Sequence, residues 1–199
     1  MCPASTRTPT LRDLVRSQIE DGIQTKQRML ESMLPQIEQA ANWAVDTFKA
    51  GKKLLFFGNG GSASDAQHLA AEFVVRYEKN RRALPAIALT TDASILTAAS
   101  NDFDFAQVFS RQIEALGQQG DLAFAITTSG NSENVLKGLQ AARERGVRTV
   151  LLTGRDGGRC AKSADLALII PSTVTSRIQE SHILIGHILC DWVDRSLFA

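Results

Sequence analysis

No apolar run in this chain approaches the ~18 residues that a membrane-spanning helix needs. None follows the polar, Pro/Thr-rich stretch 1–10 as the apolar core of a secretion signal would. Neither membrane insertion nor export is expected. A surplus of charge is missing too: 22 Lys and Arg against 21 Asp and Glu leave +1. That balance gives no electrostatic footprint for nucleic acid or an anionic lipid surface. Cysteine is scarce, and Cys2, Cys160 and Cys190 are odd in number and irregularly spaced. They fit the reduced thiols of a cytoplasmic protein better than a disulfide framework. There is no repeat, low-complexity tract or interdomain linker. What remains is an ordinary globular composition, 44% apolar and 22% charged over 199 residues, enough for one α/β domain with a substantial core.

Residues 1–10 read as a frayed tail and 11–199 as a single domain. Over 11–33, Leu14, Val15, Ile19, Ile23, Leu30 and Met33 recur at helical spacing. Pro35 interrupts the pattern, and a second helix over 36–50 presents Ile37, Ala40, Ala41, Ala44, Val45 and Phe48 before Gly51 stops it. Two helices ahead of the first strand need something to pack on. Their stripes either cover the core or meet another copy of the chain, and the expectation is a subunit interface.

Strands then alternate with helices. The strands read as 53–57, 86–89, 122–127, 149–152 and 166–170, with helices over 62–77, 93–99, 105–116, from about 132 to 145, and 175–197. A charged loop spans 78–84. The alternation predicts an α/β fold, a doubly wound five-stranded parallel sheet with two N-terminal helices and a long C-terminal helix. Its common strand order is 2-1-3-4-5, which puts the ligand crevice between the C-terminal ends of strands one and three. Both unusual loops of the chain follow those two strands.

The first is Gly58-Asn59-Gly60-Gly61-Ser62. It lacks the third glycine of a dinucleotide fingerprint, because position 63 is Ala, and it lacks a Walker lysine. It is either an anion cradle at a helix N-terminus or a tight turn whose glycines only free the backbone. The second, Thr127-Thr128-Ser129-Gly130-Asn131-Ser132, puts four hydroxyls and one amide in six residues at the start of a helix. A helix cap needs only one such residue, so a phosphate monoester is the sharper reading. His68 and Glu72, four apart on one helix, share a patch suited to a divalent metal or to proton transfer; a solvated surface pair is the alternative. His187 lies among Ile183, Leu184, Ile185, Ile188 and Leu189, as a core histidine or one aimed into a site.

Taken together, the two loops, His68-x3-Glu72, Pro85-Ala86-Ile87-Ala88, Asn101-Asp102, Leu152-Thr153-Gly154-Arg155-Asp156-Gly157-Gly158 and Arg177-Ile178-Gln179-Glu180-x-His182 resemble the sugar isomerase (SIS) domains that bind phosphosugars. More closely, they resemble the phosphoheptose isomerase family over nearly the whole chain. The resemblance implies a SIS, flavodoxin-like fold and a homotetrameric zinc enzyme with active sites at subunit interfaces. It implies interconversion of sedoheptulose 7-phosphate and D-glycero-D-manno-heptose 7-phosphate, which feeds ADP/GDP-heptose and lipopolysaccharide core synthesis. By motif, His68, Glu72, Gln179 and His187 match the family's ligands for one Zn²⁺ per site, and Glu72 and His187 its acid–base pair. Asn59, Gly60, Gly61, Glu72, Asn101, Asp102, Thr127, Thr128, Ser129, Ser132 and Gln179 match its substrate contacts. Thr127 stands where the family more often has Ser, which keeps the hydroxyl.

The chain is also similar to a non-enzymatic SIS tetramer that binds the bacterial replication initiator, through Cys190-Asp191-x2-Asp194-x2-Leu197-Phe198. That relative lacks the catalytic Glu and the second His, and both stand here as Glu72 and His187. A third reading is a SIS sensor that binds a phosphosugar without converting it. The implied ligand set has a geometric consequence. On one straight helix the eight residues from Gln179 to His187 span about 12 Å, too far for one zinc, whose ligands lie about 2.0–2.3 Å away. One of the two is therefore expected from a neighbouring chain.

Overall fold

The computed structural model describes residues 10–198. Of the tail expected over 1–10, residues 1–9 with Cys2 lie outside the described residues, and Thr10 caps the first helix instead. Helix α1 (Leu11–Ser32) opens on a capping box in which Thr10 and Asp13 satisfy each other's backbone N–H. Helix α2 (Leu34–Lys49) starts two residues earlier than the position of Pro35 suggests. The proline sits in its first turn, where no intrahelical N–H is required.

Five strands follow: β1 (Leu54–Gly58), β2 (Ala86–Ala88), β3 (Leu122–Ile126), β4 (Arg148–Gly154) and β5 (Leu166–Ile170). They form one parallel sheet in the order β2-β1-β3-β4-β5, the topology expected from the alternation. Strand β4 is longer than its apolar run because Arg148 still pairs with Leu122 while Thr153 and Gly154 pair with Ile169 and Ile170. The intervening helices are α3 (Gly61–Val74), α4 (Ala93–Asp102), α5 (Ser110–Leu116), α6 (Glu133–Glu144), the short α7 (Gly158–Ala161) and α8 (Thr175–Leu197). The helix expected over 105–116 is broken. Asp104 accepts the N–H of Ala106 and turns Phe105–Gln107 into a separate 3₁₀ turn before α5.

Side-chain alternation splits β1 between two cores. Leu54 and Phe56 join Phe73, Phe124, Ile178 and Leu189 under α2, α3 and α8. Leu55 and Phe57 join Phe109, Ile113, Val135 and Leu139 under α5 and α6. Phe56 stacks on Phe124 at 5.2 Å, and Phe57 meets Phe109 at 5.2 Å.

The two N-terminal helices have different fates. All six apolar positions expected on the inner face of α2 are buried against the sheet and α8. Of α1, only Thr25 and Met29 are buried, while Leu11, Leu14, Val15, Ile19, Ile23 and Leu30 are 49–76% exposed.

Candidate active site

The crevice forms where β1 and β3 end side by side. At Gly58 a Cβ would lie 2.6 Å from the carbonyl oxygen of Ile126, so this crossing tolerates only glycine. Gly60 then turns at φ +56° and opens α3 without a side-chain cap. After β3, Thr127 and Ser132 face each other with hydroxyl oxygens 3.1 Å apart. Ser132 sits at the N-cap of α6, yet its hydroxyl makes no capping bond. The opening turns of α3 and α6 thus both lack the side-chain acceptor that Thr10 and Asp92 supply at α1 and α4. Asn59, Thr127, Thr128, Ser129, Ser132 and Gln179, with Ser62 beneath, line a polar cavity of about 130 Å³. In α3 the N–H groups of Ser62 and Ala63 turn back onto the Asn59 and Gly60 carbonyls, so it is the uncapped start of α6 with the ring of hydroxyls that suits a phosphate.

This end is braced from behind. Asn59 and Asn134 exchange two amide hydrogen bonds of 2.8 Å. Gly130 turns at φ +67° and lies directly on the backbone of Gly157 and Gly158, where any Cβ would collide. The Cys160 N–H donates to the Gly130 carbonyl, and the Arg159 N–H to the Asn131 side chain. The glycine-rich turn after β4 is therefore a strut for the hydroxyl loop. Cys160 below it is buried and its thiol is pushed up to about 11 by desolvation, so it stays protonated and unreactive.

A second cluster lies further along α3 and α8. His68 Nε2 is 3.0 Å from Glu72 Oε1 and 3.3 Å from His187 Nε2. One donor atom from each of the three lies within 4.8 Å of the other two. Two imidazole nitrogens facing each other beside a carboxylate form an acceptor-rich set that a divalent cation satisfies, and two His with one Glu is a recurrent zinc donor set. His187 is held between rings, 5.2 Å from His68 and 5.5 Å from Tyr77. Asp65, one turn before His68, has its carboxyl pushed up by burial, opposed by the charge of His68. His182, on α8 between the two ends, is fully buried and donates to the Thr153 carbonyl. Desolvation lowers it to about 4, so it is neutral.

Within one chain, then, His68, Glu72 and His187 come together and Gln179 does not join them. Its amide packs against Gly61 at the polar cavity. Asn101 and Asp102 lie exposed in the last turn of α4, bonded to each other, and do not line that cavity. Asn134 and Tyr77 carried no local sequence signal. Asn134 meets its partner across 75 residues, and Tyr77 lies beyond the end of α3.

A model of the SIS domain matches residues 19–154. Over 187 residues the chain is 49% identical to the phosphoheptose isomerase of Leptospira biflexa serovar Patoc, covering 93% of this chain and 96% of that one. This chain belongs to the phosphoheptose isomerase family. Across a shorter span of 150 residues it is 63% identical to the family member from Paramagnetospirillum magneticum, covering 75% of this chain and 78% of that one. The fold superposes on phosphoheptose isomerase structures from Neisseria gonorrhoeae (TM-score 0.89, 43% identity) and Francisella tularensis (0.91, 39%). Each alignment covers 94% of this chain and all of the other.

Proposed function

We propose that this chain is an aldose–ketose isomerase interconverting sedoheptulose 7-phosphate and D-glycero-D-manno-heptose 7-phosphate. It would act in the cytoplasm, supplying heptose for lipopolysaccharide core synthesis. The observation that carries the reading is the His68–Glu72–His187 cluster, because a phosphosugar sensor or an initiator-binding protein needs no proton-transfer groups gathered beside a metal-donor set. Among the described residues no helix is long and apolar enough to cross a membrane.

In this reading the hydroxyls and free N–H groups of the 127–132 loop hold the distal phosphate and align C1 and C2 of the sugar. Asn59, Gly60, Gly61, Asn101 and Asp102 are assigned to the sugar. Glu72 abstracts the carbon-bound proton and returns it to the neighbouring carbon, through a cis-enediol. His187 moves the second proton between the two oxygens. Glu72 and His187 each turn one atom, Oε1 and Nε2, toward the cluster, leaving Oε2 and Nδ1 for these transfers. A Zn²⁺ ion held by His68, Glu72 and His187 would supply a Lewis acid for the substrate carbonyl.

Gln179 enters as a fourth ligand from a second copy of the chain. Its distance from His187 along α8 and its seat beside Gly61 support that assignment. The exposed apolar stripe of α1 supports the assembly it requires, a homotetramer with sites at subunit interfaces.

The test is incubation with sedoheptulose 7-phosphate and Zn²⁺, beside Glu72→Gln. Turnover by the wild type and its loss in the variant are expected. A silent wild type would defeat the reading, and equal rates would remove Glu72 as the base.

A further inference from the structure

Helix α3 ends without the usual devices. No glycine follows Val74 and no basic residue lies in its last turn, although the carbonyls there lack helical partners. A residue from the following loop serves instead. Arg81 donates from Nη2 to the Glu72 carbonyl at 2.8 Å and from Nη1 to the Phe73 carbonyl at 2.7 Å. Its Nε donates to Asp194 Oδ1 on α8 at 2.8 Å. The two side chains are 1% and 2% exposed, and the Phe198 ring lies 5.8 Å from the guanidinium. Among the described residues Asp194 Oδ2 has no partner, so Arg81 is the sole mate of this buried carboxylate.

The clamp's two ends matter for the cluster. One end grips the backbone of Glu72 itself. The other grips Asp194, seven residues or two turns beyond His187 and on the same face of α8. A single rigid fork thus ties the residue that carries the carboxylate to the helix that carries the imidazole. It also explains why α3 stops at Val74 rather than at the expected 77, since Arg81 occupies the carbonyls that the next helical turn would use.

We infer that Arg81 and Asp194 are positioning residues that set the separation of Glu72 and His187 and thereby the affinity and geometry of the metal site. The inference rests on the reading of His68, Glu72 and His187 as metal donors. Arg81→Lys keeps the buried positive charge but cannot hold three acceptors at once. Arg81→Met with Asp194→Leu removes both charges together and avoids stranding either one.

The experiment is Co²⁺ titration of the assembled protein, read by visible absorption, with the melting temperature and binding of inorganic phosphate measured alongside. Each clamp variant is expected to bind Co²⁺ about 10–100-fold more weakly, the scale of losing an outer support of a ligand. Its absorption band should be altered, with phosphate binding unchanged. Wild-type Co²⁺ affinity and spectrum in Arg81→Lys would overturn the inference, as they would in a folded double variant. Absence of Co²⁺ binding by the wild-type protein would remove the metal reading, and this inference with it.

Discussion

The two ends of the crevice are built on different principles. The hydroxyl end is made largely of backbone and short side chains on two loops, braced by Asn134 and by the 154–159 turn of the same chain. The histidine end is three side chains, able to hold a metal ion, reaching from α3 and α8 into half-open space, with the side chain of His68 46% exposed. The residues lining the first all come from one chain. The second, in the proposed reading, waits for Gln179 of a second copy. A site that recognises phosphate alone would need only the first, so the chemistry rests on how the second is held and completed.

Glu72→Gln breaks the contrast most sharply. Turnover should fall about a thousandfold, within the range of losing a general base, while the dissociation constant for inorganic phosphate stays at the wild-type value. Competition binding beside a turnover assay checks both halves. Next comes the need for a second copy. Ile19→Lys with Ile23→Lys alters two side chains 60% and 64% exposed on α1, and should change single-chain stability by no more than about 0.5 kcal/mol. If the stripe is the interface, light scattering will report monomers, and turnover will drop about a hundredfold with phosphate binding intact. Full turnover by a monomer would show that one chain suffices.

A third prediction concerns α8, which serves both ends. His182 is held neutral with its pKa near 4 against an ordinary 6.5. The unfolded chain therefore takes up this proton first as pH falls. Stability should be flat above about pH 6.5, decline between there and pH 4, and lose about 3 kcal/mol from this group in total. Denaturant unfolding across that range checks it, and His182→Leu should flatten the profile. Smallest is Ser132→Ala, which removes one hydroxyl from a charged ligand and should cut kcat/KM about tenfold, with part of the loss in kcat. A rise in KM alone, with kcat unchanged, would mean that the phosphate grip binds the sugar without aligning its reacting carbons.

The order of the sheet was legible because glycines flank strands one, three and four, Pro171 stops strand five, and alternating strands and helices leave few topologies. The placing of both loops at one switch point followed from that order. Contacts between distant residues were not legible. The amphipathic period of α1 is plain, yet nothing in it says whether sheet or partner covers the stripe, and within one chain neither does. Arg81 sits in a run of charges that reads as a solvated loop, but the acceptors that bury it are the end of α3 and a side chain 113 residues away. The motifs that carry the family resemblance named Gln179 with His68, Glu72 and His187; helix geometry alone separates it from them within a chain.

Proton transfer through Glu72 to an enediol leaves an isotopic trace, which isomerisation in D₂O reads. Converting sedoheptulose 7-phosphate with the Zn²⁺-loaded protein, then reading C2 of the aldose product by NMR, should show deuterium there, because a carboxylic acid proton exchanges with solvent before it is returned. Turnover that leaves protium alone at C2 would mean that the proton never met solvent, as in a direct hydride shift, and would contradict transfer through an exchanging Glu72.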